Sequence, residues 1–130
     1  MAYVLGARSL KRLEGVHPDL VKVVKRAIKI TDTDFTVLEG VRTLAKQREY
    51  VAAGASKTMN SRHLTGHAVD LGALVGGKVR WDWPLYHKIA AAMKQAAKDV
   101  GVPLEWGGDW KKFKDGPHFQ LPFASYPKAS

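Results

Sequence analysis

Cysteine is absent from the 130 residues, which removes disulfide staples and thiolate metal sites together. Any transition-metal site must therefore be built from imidazole and carboxylate, and five histidines are available for it. Long apolar runs are missing too. No stretch approaches the ~18 residues of a membrane span, and MAYVLGARSLKRLEG lacks the basic start and apolar core of a signal peptide. The expectation is a soluble protein made in the cytoplasm, with no transmembrane segment. Repeats, low-complexity tracts and proline-rich linkers do not occur, and a chain of this length buries about two-thirds of its unfolded surface as one unit. A single domain over residues 1–130 is expected. Acidic residues are few: 12 stand against 21 Lys and Arg, for a formal charge of +9. Such a field draws polyanions, whether nucleic acid, acidic lipid or an anionic envelope, without choosing among them.

What is present reads as alternating helices and short strands. Ser9 with LKRLEG predicts a short helix closed by Gly15. In HPDLVKVVKRAIKI, Pro18 suits a first helical position, and Leu20, Val23, Val24, Ala27 and Ile28 form one apolar stripe. The opposite face carries Lys22, Lys25, Arg26 and Lys29. FTVLEG reads as a strand and TLAKQREYVAAG as a helix ended by Gly54, with Arg42 at the junction. After the polar loop ASKTMNSR, HAVDLGAL alternates like a strand and VGGKV offers a hairpin turn. Pro84 to Val100 is the longest expected helix, with Leu85, Ile89, Met93, Ala96 and Val100 as its stripe and Gly101 as its stop. PLEWG and HFQL complete the strands, and SYPKAS reads as a frayed tail. This order predicts an α+β fold, a small and mainly antiparallel sheet packed with several helices.

The chemistry concentrates in SRHLTGHAVDLGAL, residues 61–74. His63 and His67 are four apart, as on a zincin helix, but Leu64 stands where the general-base Glu belongs, and Thr65 with Gly66 weakens a helix there. The better pair is His63 with Asp70. Seven residues of strand would part them by roughly 23 Å and seven of helix by about 10 Å. The chain must fold back, and Gly66 can take the positive φ that does it. A strand starting at His67 then puts Ala68 and Asp70 on one face and His67 with Val69 on the other, the small Ala68 leaving room for substrate. A catalytic zinc site needs a third ligand. His118 in KDGPHFQL is the candidate, sharing a strand face with Gln120 while Phe119 and Leu121 enter the core. Asp115, across Gly116 and Pro117, could turn a carboxylate toward the same ion.

His63, Gly66, Ala68 and Asp70 spell HxxGxAxD, and Asp115 with His118 spells DxxH. Together they resemble the signature of the zinc D-alanyl-D-alanine carboxypeptidases and the related phage L-alanyl-D-glutamate endopeptidases. The resemblance runs from about Leu38 to Leu121 and takes in Arg42 and Gln47 of EGVRTLAKQ, Ser61, and WGGDW. The EGVRT, GHAVDL and WGGDW wording is closer to the phage enzymes. The resemblance implies a hedgehog/D,D-peptidase-like fold with one zinc ion on the sheet, held by His63, Asp70 and His118, and Asp115 as catalytic base. The carboxypeptidases often carry Glu at that last position. On this reading Asp115 takes a proton from the attacking water and returns it to the leaving amine. Arg42 holds either a substrate carboxylate or the developing oxyanion.

The expected function is therefore a zinc-dependent endopeptidase of peptidoglycan stem peptides, cutting the L-alanyl-D-glutamate bond as a bacteriophage endolysin. It would be a monomer without a separate cell-wall-binding domain, held in the host cytoplasm until lysis admits it to the periplasm and cell wall. The basic surface would bind the anionic envelope. Ser61 and Gln47 are read as binding substrate or capping backbone groups. The four tryptophans are packing residues, with Trp106 or Trp110 lining the groove. His17 and His87 are expected at the surface, and His67 as a packed histidine outside the ligand set. Alternatives are a D-alanyl-D-alanine carboxypeptidase and a lysis glycosidase using Glu39, Glu105 or Asp109. No recognised nucleic-acid module accompanies the charge, so no nucleic-acid partner is expected.

Overall fold

A computed structural model describes residues 3–54, 61–112 and 114–127. Most of the polar loop, residues 55–60, and the end of the tail, 128–130, lie outside them. The first helix, α1, spans Ala7–Arg12. Ser9 lies within it rather than ahead of it: the buried hydroxyl meets Thr36 Oγ1 at 2.9 Å and accepts the Val37 N–H at 3.0 Å, tying the helix to a strand. The second helix, α2, is Pro18–Ile30, and its buried residues are Leu20, Val23, Val24, Ala27 and Ile28, the stripe expected from periodicity. Each fully buried Leu, Val or Ile there contributes ~1.5–3 kcal/mol. His17 caps this helix, its Nδ1 accepting the Asp19 N–H at 3.1 Å, and is half-buried rather than a surface bystander.

Strand β1 is Phe35–Glu39, and α3 is Leu44–Ala52, capped by the Thr43 hydroxyl. Strands β2, Ala68–Val75, and β3, Lys78–Arg80, are joined through Gly76 and Gly77, both at positive φ as a tight hairpin requires. Helix α4, Trp83–Val100, stops at Gly101. Its buried face is centred on Tyr86, Ile89, Ala90, Met93, Ala96 and Ala97, while Val100 is exposed and Leu85 only partly covered. The apolar positions chosen from sequence followed one edge of that face. Strands β4, Glu105–Trp106, and β5, His118–Gln120, complete an antiparallel sheet of order β1-β2-β5-β4, with β3 also on β2. The α+β class is as expected.

The long strand β2 organises the molecule. One sheet face carries Phe35, Val37, Val69, Leu71, Ala73 and Phe119, all buried in the core, and helices α2 and α4 pack on each other with α4 against β2. The other face presents Asp70 flanked by its cross-strand partners Glu39 on β1 and His118 on β5. Directly opposed residues in antiparallel strands share a face with side chains in reach of one another. Register thus builds a polar row from three segments. Among the described residues no helix is long and apolar enough to cross a membrane.

Candidate metal centre

His63 reaches this row from a single 3-10 turn, Arg62–Thr65, whose first N–H groups are partly satisfied by the Ser61 hydroxyl at 3.2 Å from the His63 nitrogen. Gly66 ends the turn at φ 76°, the fold-back the sequence demanded. No other residue fits, because a Cβ there would stand 2.5 Å from the Gly15 carbonyl oxygen. The buried Arg62 guanidinium anchors the turn to the C-terminal segment, donating to the carbonyls of Leu121 and Tyr126 at 3.0 and 2.6 Å. His67 faces away, bonded to the Thr65 hydroxyl and packed near His17 and Tyr126, so it stays outside the centre.

The ligand atoms offered by His63, Asp70 and His118 lie within 4.8 Å of one another. His63 Nε2 and His118 Nδ1 each stand 3.1 Å from Asp70 Oδ1. The outer nitrogens decide the protonation pattern. His63 Nδ1 meets the Gly40 carbonyl at 2.8 Å and His118 Nε2 meets Gln120 Oε1 at 2.7 Å. Both partner atoms are carbonyl oxygens, which only accept, so both outer nitrogens donate. In neutral rings the inner nitrogens then present lone pairs to a carboxylate oxygen. Such an arrangement repels itself unless a cation is shared at its centre, a proton in the metal-free state or a divalent metal ion. The donor set therefore fits a metal ion. Electrostatics agree. Burial alone would raise the Asp70 carboxyl, but hydrogen bonds and charge from His118 and His63 hold it well below the usual carboxylate range. Burial pulls the His118 imidazole down, and the bond and charge of Asp70, with Gln120 and Asp115, push it above its ordinary value.

Asp115 sits on a tightly held turn. Its N–H donates to the Gly107 carbonyl at 3.0 Å, its carbonyl accepts the His118 N–H at 3.2 Å, and Trp106 Nε1 donates to the Gly116 carbonyl at 2.7 Å. Gly107 and Gly116 are needed for close approach, since added Cβ atoms would stand 2.4 Å from the Asp115 carbonyl oxygen and from the Tyr86 ring. Burial raises the Asp115 carboxyl and the nearby Asp70 charge raises it further, while His118, His63 and Arg42 act in the opposite sense. A half-buried carboxyl tuned upward beside two imidazoles suits proton transfer.

Arg42 is gathered into the same region. Its Nε donates to Glu39 Oε1 at 2.5 Å, its Nη2 also pairs with Glu39, and its Nη1 donates to Gln47 Oε1 at 2.6 Å and, more weakly, to Ser61 Oγ at 3.4 Å. Nη2 lies 4.0 Å from Asp70 Oδ2. Tyr50 donates to Glu39 Oε2 at 3.1 Å, and the guanidinium lies over its ring. Arg42, Gln47 and Ser61 thus meet, but Gln47 is 0% exposed and holds Arg42 rather than facing substrate. Ser61 divides its hydroxyl between Arg42 and the His63 turn.

Trp106 corrects the expectation of a groove wall: it is 4% exposed, with its ring stacked on Phe119 beneath the Asp115 turn. Trp110 is the tryptophan beside the centre, its ring 5.2 Å from His118 and its Nε1 donating to Glu105. Ala68 is also fully buried, so its small side chain makes space inside the protein, not for substrate. The carboxylates considered for a glycosidase each have another side-chain partner: Glu39 bonds Arg42 and Tyr50, Glu105 bonds Trp110, and Asp109 pairs with Lys94 at 2.8 Å. Sequence reasoning did not assign Glu39, Tyr50 or the Gly40 carbonyl to the site. Glu39 lies three residues before Arg42, but only the β1–β2 register reveals its place beside Asp70.

Residues 1–121 match the family described as phage L-alanyl-D-glutamate peptidase. The chain is 35% identical over 119 residues to the L-alanyl-D-glutamate peptidase of Escherichia phage T5, covering 88% of this chain and 87% of that protein. To the peptidoglycan L-alanyl-D-glutamate endopeptidase CwlK of Bacillus subtilis (strain 168) it is 30% identical over 125 residues, 82% of this chain and 73% of that one. The solved structure of Serratia marcescens L-Ala D-Glu endopeptidase ChiX superposes with a TM-score of 0.91 at 52% identity, covering 96% and 95% of the two chains. With two imidazoles and a carboxylate brought together from a turn and two strands, and with sequence likeness over nearly its whole length, this chain belongs to the phage L-alanyl-D-glutamate peptidase family.

Proposed function

We propose that the protein is a zinc-dependent endopeptidase that cuts the L-alanyl-D-glutamate bond of peptidoglycan stem peptides, acting as a bacteriophage endolysin. The observation that carries this reading is the convergence of His63 Nε2, His118 Nδ1 and Asp70 Oδ1 with both outer imidazole nitrogens committed as donors. These three residues would hold the zinc ion, which when bound acidifies a water and polarises the scissile carbonyl. Asp115, with its carboxyl raised by burial, accepts the proton of the attacking water and delivers it to the leaving amine. Arg42 has Nε and Nη2 on Glu39 and Nη1 on Gln47, and the side left to it faces Asp70. That geometry suits one developing oxyanion better than the two oxygens of a terminal carboxylate. Ser61 and Gln47 serve substrate through Arg42.

The enzyme is a monomer held in the host cytoplasm until the membrane is breached, after which it works on the cell wall. Lys22, Lys25, Arg26 and Lys29 are exposed along α2, with Arg26 paired to Asp99, and attract the protein to the anionic envelope. Envelope binding that does not weaken with added salt would refute that attraction. Digestion of purified peptidoglycan with and without chelator, followed by zinc restoration and mass spectrometry, tests the main reading. A newly exposed D-glutamate amine, lost with chelator and regained with zinc, is the expected product. Free D-alanine would instead indicate a carboxypeptidase, and chelator-insensitive reducing sugar ends a glycosidase.

A further inference from the structure

The two imidazoles of the centre are oriented by unequal means. His63 is held by a backbone carbonyl, that of Gly40, which no side-chain substitution at that position deletes. His118 is held by a side chain, the buried Gln120 amide, at 2.7 Å. Gln120 lies two residues along β5, on the same sheet face as His118, and its cross-strand partners are Ala68 on β2 and Glu105 on β4. Ala68 is fully buried. A longer side chain there would compete for the space in which the Gln120 amide turns back to His118. On the other flank the Glu105 carboxylate is taken up by Trp110 Nε1 at 2.8 Å, while the Gln120 amide oxygen turns to His118. The alanine of HxxGxAxD and the glutamine two residues after DxxH thus meet across the sheet.

We infer that Gln120 is a positioning residue that selects which nitrogen of His118 faces the metal, with Ala68 providing its space. Its carbonyl oxygen keeps the proton on Nε2 and the lone pair on Nδ1, directed at Asp70 Oδ1. This inference rests on the metal reading above. It is tested on the full-length protein by titrating Zn²⁺ against a competing chelator, in wild type, Q120M and Q120E. Met keeps the length and loses the acceptor; Glu keeps the acceptor. Q120M is expected to bind Zn²⁺ about 10- to 100-fold more weakly and Q120E within about threefold of wild type. Proton–nitrogen correlation spectra of the zinc-loaded wild type and Q120E should show His118 bound through Nδ1 with a protonated Nε2, and a mixed or lost signature in Q120M. Wild-type affinity and an intact Nδ1 signature in Q120M would overturn the inference. So would Q120E binding as weakly as Q120M, which reassigns the residue to packing. A wild-type protein that takes up no Zn²⁺ would instead overturn the metal reading and this inference with it.

Discussion

Replacing Gly107 with Ala would test how tightly the Asp115 turn is set. Gly107 is buried, and a Cβ on it would stand 2.4 Å from the Asp115 carbonyl oxygen, 3.0 Å from Asp115 Cβ and 3.1 Å from His118 Cβ. Ordinary contact begins near 3.4 Å, so the turn must retreat by about 1 Å, taking with it the proposed base and one proposed ligand. A misplacement of that size costs on the order of 10²-fold in rate, or ~2.7 kcal/mol of barrier. Overpacking of this kind also lowers stability by about 1–3 kcal/mol, so folding must be monitored alongside activity. The assay is kcat/KM on a defined muropeptide, with circular dichroism and a urea midpoint for each variant. Gly76→Ala is the control. That residue sits at positive φ, unlike Gly107, and has nothing within 4 Å of an added Cβ, so its substitution should lose stability without losing activity once folded. A folded Gly107→Ala enzyme with wild-type kcat/KM would refute the claim that this contact places the catalytic turn.

Three other outcomes are expected. Asp115→Asn should retain metal affinity and lose about 10²- to 10⁴-fold in hydrolysis, since the residue moves protons and is not a ligand; isothermal titration and muropeptide kinetics separate the two. In the metal-free protein, His118 is raised above the ordinary 6.5, so its contribution to stability is fully present below that value and is lost as pH rises through its folded pKa. The lowered Asp70 carboxyl contributes above 3.8 and is lost only in stronger acid, so thermal melts of the apo-protein should be highest between these limits and decline on the alkaline side. Saturating zinc should flatten that alkaline decline, and a flat apo-profile would count against the shared cation. Arg62→Met should lower stability by about 2–4 kcal/mol, because the buried carbonyl of Leu121 and the partly buried carbonyl of Tyr126 lose a charged donor; a urea midpoint unchanged from wild type would contradict this.

The local elements were legible because their signals are short-range. Periodicity found the buried stripe of α2, glycines found the ends of α3 and α4, and the β2–β3 hairpin followed from Gly76 and Gly77. Periodicity caught only one edge of the α4 face, because the alanines that pack there as core look neutral in sequence. A mid-helix Ser9 that bonds to a strand is likewise invisible to a capping rule, because its partners are 27 and 28 residues away.

Residue chemistry, the turn at Gly66 and the resemblance of HxxGxAxD and DxxH to a known signature nominated, from sequence alone, His63, Asp70 and His118 as groups to bring together. The absence of thiols left imidazole and carboxylate as the available ligands. Tertiary structure decided which atoms face inward and what holds them: the β2–β5 register that sets Asp70 opposite His118, the Gly40 carbonyl and Gln120 amide behind the two rings, and the withdrawal of Gln47 and Trp106 into the interior. The reason is physical. Ligand identity is a property of the side chain, but tautomer, exposure and reach depend on neighbours that only strand pairing and packing supply.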